Sequence, residues 1–159
     1  MEDRLSASAR RVREALVQLG LPSQVVELPR STRSAAEAAQ AVGCSLGQIA
    51  KSIVFRATRS DRPVLVIASG SNRIAEERIA ALLSEPVEKA EPKFVRERTG
   101  FVIGGVPPVG HQERLLTFID EDLLRYGEVW AAAGTPRAVF KLAPADLVKI
   151  TGGRVITVK

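Results

Sequence analysis

Few residues of this chain have types and spacing that bear on chemistry. They are Lys51 in a strand-like run, the stretch from Thr99 to Gly110 with the only histidine, His111, directly after it, Asp120 at the end of an apolar run, and the turn Gly134-Thr135-Pro136. From Gly104 to Gly110 there are three glycines and two prolines. Glycine lets the backbone take positive φ or lie against a ligand, and proline fixes φ and removes a donor, so the mixture describes a loop of set shape able to aim peptide N–H groups outward. An ordinary turn between helix and strand is the plainer account. Phe101, Val102, Ile103, Val106 and Val109 suit a solvated turn poorly, however, and a partly buried pocket wall fits them better.

Such parts can stabilise a carbonyl and a developing oxyanion through oriented N–H groups, with Lys51 positioning an oxygen or a phosphate. No side-chain nucleophile is required, because water or a group of the substrate can attack an ester held in line. Lys51 also has a structural account, as a strand-end lysine carrying its ammonium to water. The chain has no HExxH, CxxC, Walker loop or GxGxxG, and one histidine makes no multi-histidine metal site. Cys44, the sole cysteine, excludes an internal disulfide and reads as a packing residue. Neither a metal nor a cofactor is expected.

The elements that must position these residues follow from periodicity. Val12, Ala15, Leu16 and Leu19 recur at helical spacing over 8–19, with Arg10, Arg11 and Arg13 elsewhere on the surface, a basic face that either meets RNA or is simply solvated. Ser34 and Glu37 form a capping-box pattern at the head of an alanine-rich helix that Gly43 ends. Residues 24–28, 50–57, 63–69, 114–119, 128–132, 138–142 and 154–158 read as strands, the second and third forming a hairpin across Asp61-Arg62. Lys51 shares a strand face with Ile53, Phe55 and Ala57. Helices are expected over 74–83, 92–99 and 144–150, with a helical turn over 121–126. The small polar loop Ser69–Arg73 can donate to phosphate, but serine and asparagine also cap helices, and capping is the preferred reading. Hairpins mixed with helices predict an α+β single domain, a mixed, mainly antiparallel or barrel-like sheet flanked by helices.

At 159 residues, with 45% hydrophobic and 26% charged residues, the chain fits one ordinary globular domain over 1–159. Aromatics at 4% leave too little for a base-stacking platform, while a net charge of +5 suits an anionic partner. Met1–Arg4 lack the regions of a signal peptide and no apolar run is long enough to span a membrane, so a cytoplasmic protein without a membrane partner is expected.

Ala50-Lys51-Ser52-Ile53-Val54-Phe55, the loop Gly104-Gly105-Val106-Pro107-Pro108-Val109-Gly110 and Phe118-Ile119-Asp120, in that order, resemble the YbaK/ProX-type editing domains associated with prolyl-tRNA synthetase. The turn from Trp130 to Pro136 and the ending Leu142–Asp146 are similar to free-standing members, and the likeness runs from about Gln24 to Val158. The resemblance implies a metal-independent deacylase acting on mischarged aminoacyl-tRNA, chiefly tRNA for proline carrying Cys, Ala, Ser or Thr, with prolyl-tRNA synthetase as a candidate partner. It implies catalytic roles for Lys51, near the terminal adenosine and the ester, and for Gly104, Gly105, Val106, Pro107 and Pro108, whose amides surround the carbonyl. Phe55, Gly110, Asp120, Gly134 and Thr135 are implied to bind substrate. Two departures stand out: Pro107 replaces the small polar residue common before the loop proline, and His111 is no family hallmark, so it is given no catalytic role. Val106, Pro107 and Val109 are expected to make the amino-acid sieve narrow and dry. A non-catalytic tRNA- or nucleotide-binding module and a synthetase-docking adaptor are the rival readings.

Overall fold

The computed structural model describes residues 5–32 and 34–159; Met1–Arg4, read above for a leader, lie outside the described residues. At the centre is the longest apolar run, Pro63–Ser69, as strand β3, every residue of it buried. A strand buried on both faces needs no polar alternation. Leu65 and Ile67 enter one core cluster while Val64, Val66 and Ala68 enter another, so the sheet is covered on both sides.

The strands are β1 (Val25–Glu27), β2 (Ile49–Ala57), β3, β4 (Val87–Lys89), β5 (Leu116–Asp120), β6 (Val129–Ala132), β7 (Ala138–Leu142) and β8 (Arg154–Ile156). They form one sheet in the order β1-β7-β6-β2-β3-β5-β8, with β4 pairing β2 off that path. β2 and β3 form the expected antiparallel hairpin, and β1/β7, β6/β7 and β2/β4 are also antiparallel. β2/β6, β3/β5 and β5/β8 are parallel. The sheet is therefore mixed and open, ending at β1 and β8, and is not a barrel.

The helices are α1 (Ala7–Gln18), α2 (Ala35–Val42), α3 (Glu76–Leu83), α4 (Pro92–Thr99) and α5 (Pro144–Thr151). Val12 and Leu16 of α1, Val95 of α4 and Leu147 of α5 pack on one face with Ala50, Val54 and Phe140. Ile79 of α3 packs on the other face with Phe55 and Phe118, and Ala38 and Ala39 of α2 with Ile49 and Trp130. Ser34 caps α2 by accepting the Glu37 N–H at 3.2 Å, and Gly43 closes it at φ 77°.

One strand was not anticipated and one local expectation is corrected. β4 is three residues long, too short for periodicity to reveal, and is held by its pairing with β2. The loop Ser69–Arg73 does not cap α3, whose start at Ala75 has no side-chain cap. Its polar groups turn inward: the Ser69 hydroxyl donates to the Gly47 carbonyl at 2.8 Å, and Asn72 Nδ2 donates to Asp120 and Asp122 at 2.8 and 2.7 Å.

Candidate active site

The outer edge of β2 is shared by two strands. β6 pairs it at Ile49–Ala50 and β4 at Phe55–Ala57, and among the described residues no strand pairs the interval between them. On this edge Ala90 N–H donates to the Val54 carbonyl at 3.0 Å. Peptide groups alternate in direction along a strand, so the N–H and C=O of Ser52 also face the gap. The Ser52 hydroxyl is buried without a hydrogen-bond partner among the described residues.

A cavity of about 230 Å³ opens at this split. Ala35 and Ala38 of α2, Ala50 of β2, and Ala131, Ala132 and Ala138 of β6 and β7 make its walls small and apolar. Lys51, Ser52, Gly104, Val106 and Thr135 complete the lining. Among the described residues no carboxylate or imidazole lines it.

The glycine–proline loop reaches the cavity because several contacts fix it. Gly100 ends α4 at φ 83°, and Gln112 N–H donates back to the Thr99 carbonyl at 2.9 Å, closing the loop's base. Phe101, Val106 and Val109 are buried in the main core. His111 Nε2–H donates to the Pro107 carbonyl at 2.6 Å and its ring meets the Phe101 edge, while Arg11 lies 4.6 Å from the centre of the Phe101 ring. Burial pushes the His111 imidazole below its ordinary value, opposed by the Pro107 carbonyl. Gly105 accepts the Gly134 N–H at 2.9 Å and lies so close to Thr135 that a Cβ would stand 2.6 Å from its Cα. The loop and the β6–β7 turn are thereby joined backbone to backbone.

Within the loop, Pro107 and Pro108 have no N–H. Gly105 donates to the Val102 carbonyl at 3.0 Å. Gly104 and Val106, both on the cavity wall, have N–H groups with no acceptor among the described residues. The same holds for Ile103 on that wall, so three loop amides there are without an acceptor among the described residues.

Lys51 projects from the opposite face of β2 to Ser52, and its ammonium donates to the Asn72 carbonyl at 3.2 Å. Burial first, then the charge of Lys89, holds its pKa below the ordinary lysine value, against the pull of Asp120. Asp120 is buried and accepts from Ser69 N–H, Asn72 Nδ2 and Asp122 N–H at 2.9, 2.8 and 2.9 Å. It thus sets the loop whose carbonyl holds Lys51.

Of the residues singled out by sequence, Lys51, Ile103, Gly104, Val106, Thr135 and Pro136 line the cavity. Gly105 and Gly134 join the loop to the turn behind it, and Asp120 stands one residue further back from Lys51. Pro107 and Pro108 are buried outside the lining. Phe55 is fully buried in the core under α3, and Gly110 packs against α1, 3.4 Å separating its ideal Cβ from that of Ala15; neither borders the cavity. The expected narrow sieve is built differently: Val106 alone of the three named residues lines it, and the alanines supply the rest. Ser52, α2 and Trp130 were not anticipated at the site. The only sequence signal for Ser52 is a hydroxyl on the core-facing side of a strand.

The model of a family described as the aminoacyl-tRNA editing domain matches residues 29–150. A solved structure described as a candidate trans-editing enzyme for prolyl tRNA synthetase is 52% identical, with a TM-score of 0.92 over 98% of each chain. The uncharacterized protein YwhH of Bacillus subtilis (strain 168) is 30% identical over 93% of this chain and 94% of its own. EbsC of Enterococcus faecalis (strain ATCC 700802 / V583), named as a candidate Cys-tRNA(Pro)/Cys-tRNA(Cys) deacylase, is 26% identical over 76% of this chain and 74% of its own. A sheet split beside a lysine and a glycine–proline loop, on a fold shared nearly end to end with that solved structure, has one assignment: the chain belongs to the aminoacyl-tRNA editing domain family.

Proposed function

We propose that this protein is a trans-editing deacylase that hydrolyses the ester of tRNA for proline mischarged with a small amino acid, Cys, Ala, Ser or Thr. The observation that carries this reading is the alanine-walled cavity of about 230 Å³, with Lys51 and the free amides of Gly104 and Val106 on its lining. A small aminoacyl group enters the cavity and its carbonyl oxygen meets the loop amides. Water adds to the carbonyl carbon, and the π pair moves onto oxygen as an oxyanion that the amides stabilise. Collapse expels the ribose oxygen, which takes the proton released by water, leaving free amino acid and intact tRNA. For a cysteinyl ester the substrate's own thiol is an alternative nucleophile. Lys51, held by the Asn72 carbonyl, orients the ribose and the ester. This chemistry asks nothing of a metal, and among the described residues no group of three or more His, Cys, Asp or Glu is placed to hold one.

The test is deacylation of tRNAs charged with Cys, Ala, Ser, Thr and Pro by the wild type and by Lys51→Ala. Wild type is expected to clear one or more of the small esters, and Lys51→Ala to lose about 100-fold or more of that rate while melting like wild type, the scale of a group acting in the transition state. Full activity in folded Lys51→Ala removes the lysine from the mechanism. A wild type that binds tRNA and clears no ester makes the protein a binding module.

A further inference from the structure

On the far side of Lys51 from the apolar cavity lies a second depression of about 330 Å³, lined by Lys51, Ser71, Asn72, Arg73 and Lys89 with two isoleucines. Lys89 pairs with Phe55 in the β2–β4 register, and Phe55 shares a strand face with Lys51, so the two lysines rise from the same side of the sheet. Arg73 follows the inward-turned Asn72 and completes the groove from the loop.

Among the described residues, three cations thus share one concave surface with no acid on it. Asp120, whose charge reaches Lys51, is buried beneath Asn72 and already accepts three N–H donors. Asp122, behind Asn72, is paired with Arg125 and Lys159. Arg56, Arg98 and Lys141 likewise have acidic partners, whereas Arg73 and Lys89 have none among the described residues. Like charges gathered on one surface repel, and Lys89 is close enough to depress the Lys51 pKa despite the pull of Asp120. An anion would relieve the repulsion, and a guanidinium fork beside two ammonium groups matches a phosphate. Lys51 lines both the groove and the apolar cavity. A molecule with a small acyl group in the cavity therefore runs past Lys51 into the groove.

We propose that the groove formed by Lys51, Ser71, Asn72, Arg73 and Lys89 is a phosphodiester site, holding the backbone phosphate next to the 3′-terminal nucleoside of an RNA while the aminoacyl ester occupies the cavity. The RNA and the ester rest on the editing reading above; the anion chemistry of the groove does not. Arg73 and Lys89 are then positioning residues for the substrate.

The probe is the dinucleotide CpA and its methylphosphonate-linked analogue, which keeps the shape and removes the charge. Titration calorimetry is run on wild type, Arg73→Ala/Lys89→Ala and Arg73→Lys, with thermal melts to confirm folding. Wild type is expected to prefer CpA about 10-fold, the double variant, which keeps Lys51, to lose most of that preference, and Arg73→Lys to keep more of it. With a mischarged acceptor-stem RNA, the double variant is expected to raise KM about 10-fold, with kcat within about 2-fold of wild type. Equal binding of the two dinucleotides by wild type, or a preference undiminished by the double substitution, overturns the site. Charge preference lost with Arg73 and Lys89, in a protein that clears no ester, keeps the groove and discards the deacylase. Normal deacylation without charge preference does the reverse.

Discussion

At the scale of single residues the site depends on groups left without partners. Ser52 is the sharpest instance: its hydroxyl is buried and unpaired among the described residues, and its peptide groups face the gap between β6 and β4. A buried hydroxyl without a partner costs about 1–3 kcal/mol. Ser52→Ala is therefore expected to leave the urea midpoint unchanged or to raise stability by up to about 1 kcal/mol. Destabilisation beyond about 1 kcal/mol would mean that the hydroxyl has a partner in solution. Lys51 shows the complementary case. Its position in line with Ile53 and Phe55 is plain from strand alternation, but the Asn72 carbonyl that holds it lies 21 residues away in sequence.

At the scale of elements, the loop from Phe101 to His111 is a rigid unit held by its own last residue. His111 bridges to the Pro107 carbonyl at 2.6 Å and is buried against Phe101, which keeps the imidazole neutral to lower pH than usual. A folded value below the unfolded 6.5 means that the unfolded chain binds the proton first. The histidine's contribution to stability is thus present in full above 6.5 and is lost as pH falls through the folded value. His111→Gln keeps an N–H donor for Pro107 and cannot titrate. Urea unfolding at neutral and at mildly acid pH is expected to show a smaller acid loss for the variant than for wild type, and equal losses would remove His111 as the source. Proline and glycine content made the rigidity of this loop readable in sequence; its anchoring to Thr135 through Gly105 was not, since that contact joins two distant turns.

At the scale of the whole molecule, the cavity belongs to no single element. α2, β2, the glycine–proline loop and the β6–β7 hairpin each supply one wall, and the alanines set its size. One methylene in such a pocket discriminates by about 1–3 kcal/mol. Ala38→Leu, which adds three heavy atoms to the α2 wall, is expected to lower kcat/KM for the preferred small ester by about 10-fold or more and to fall hardest on the larger of two competing esters. Rates on alanyl and threonyl esters compared between variant and wild type check this, and an unchanged ratio would place the acyl group elsewhere.

Local physics was sufficient for much of this protein. Among the described residues, seven of the eight strands, the five helices and their Gly43, Gly100 and Gly152 stops follow from periodicity and turn chemistry, because they depend on neighbours within a few residues. The order of Lys51, the Gly104–Gly110 loop and Asp120 was enough to indicate the family. Tertiary structure alone decided which strands lie side by side, and so that β2 is left unpaired between β6 and β4. Pairing energy comes from residues far apart in sequence, and no local pattern records it. The same long-range packing sent Phe55 into the core, withdrew Pro107 and Pro108 from the cavity, turned the Ser69–Arg73 loop inward onto Asp120 and brought Arg73 and Lys89 to the side of Lys51.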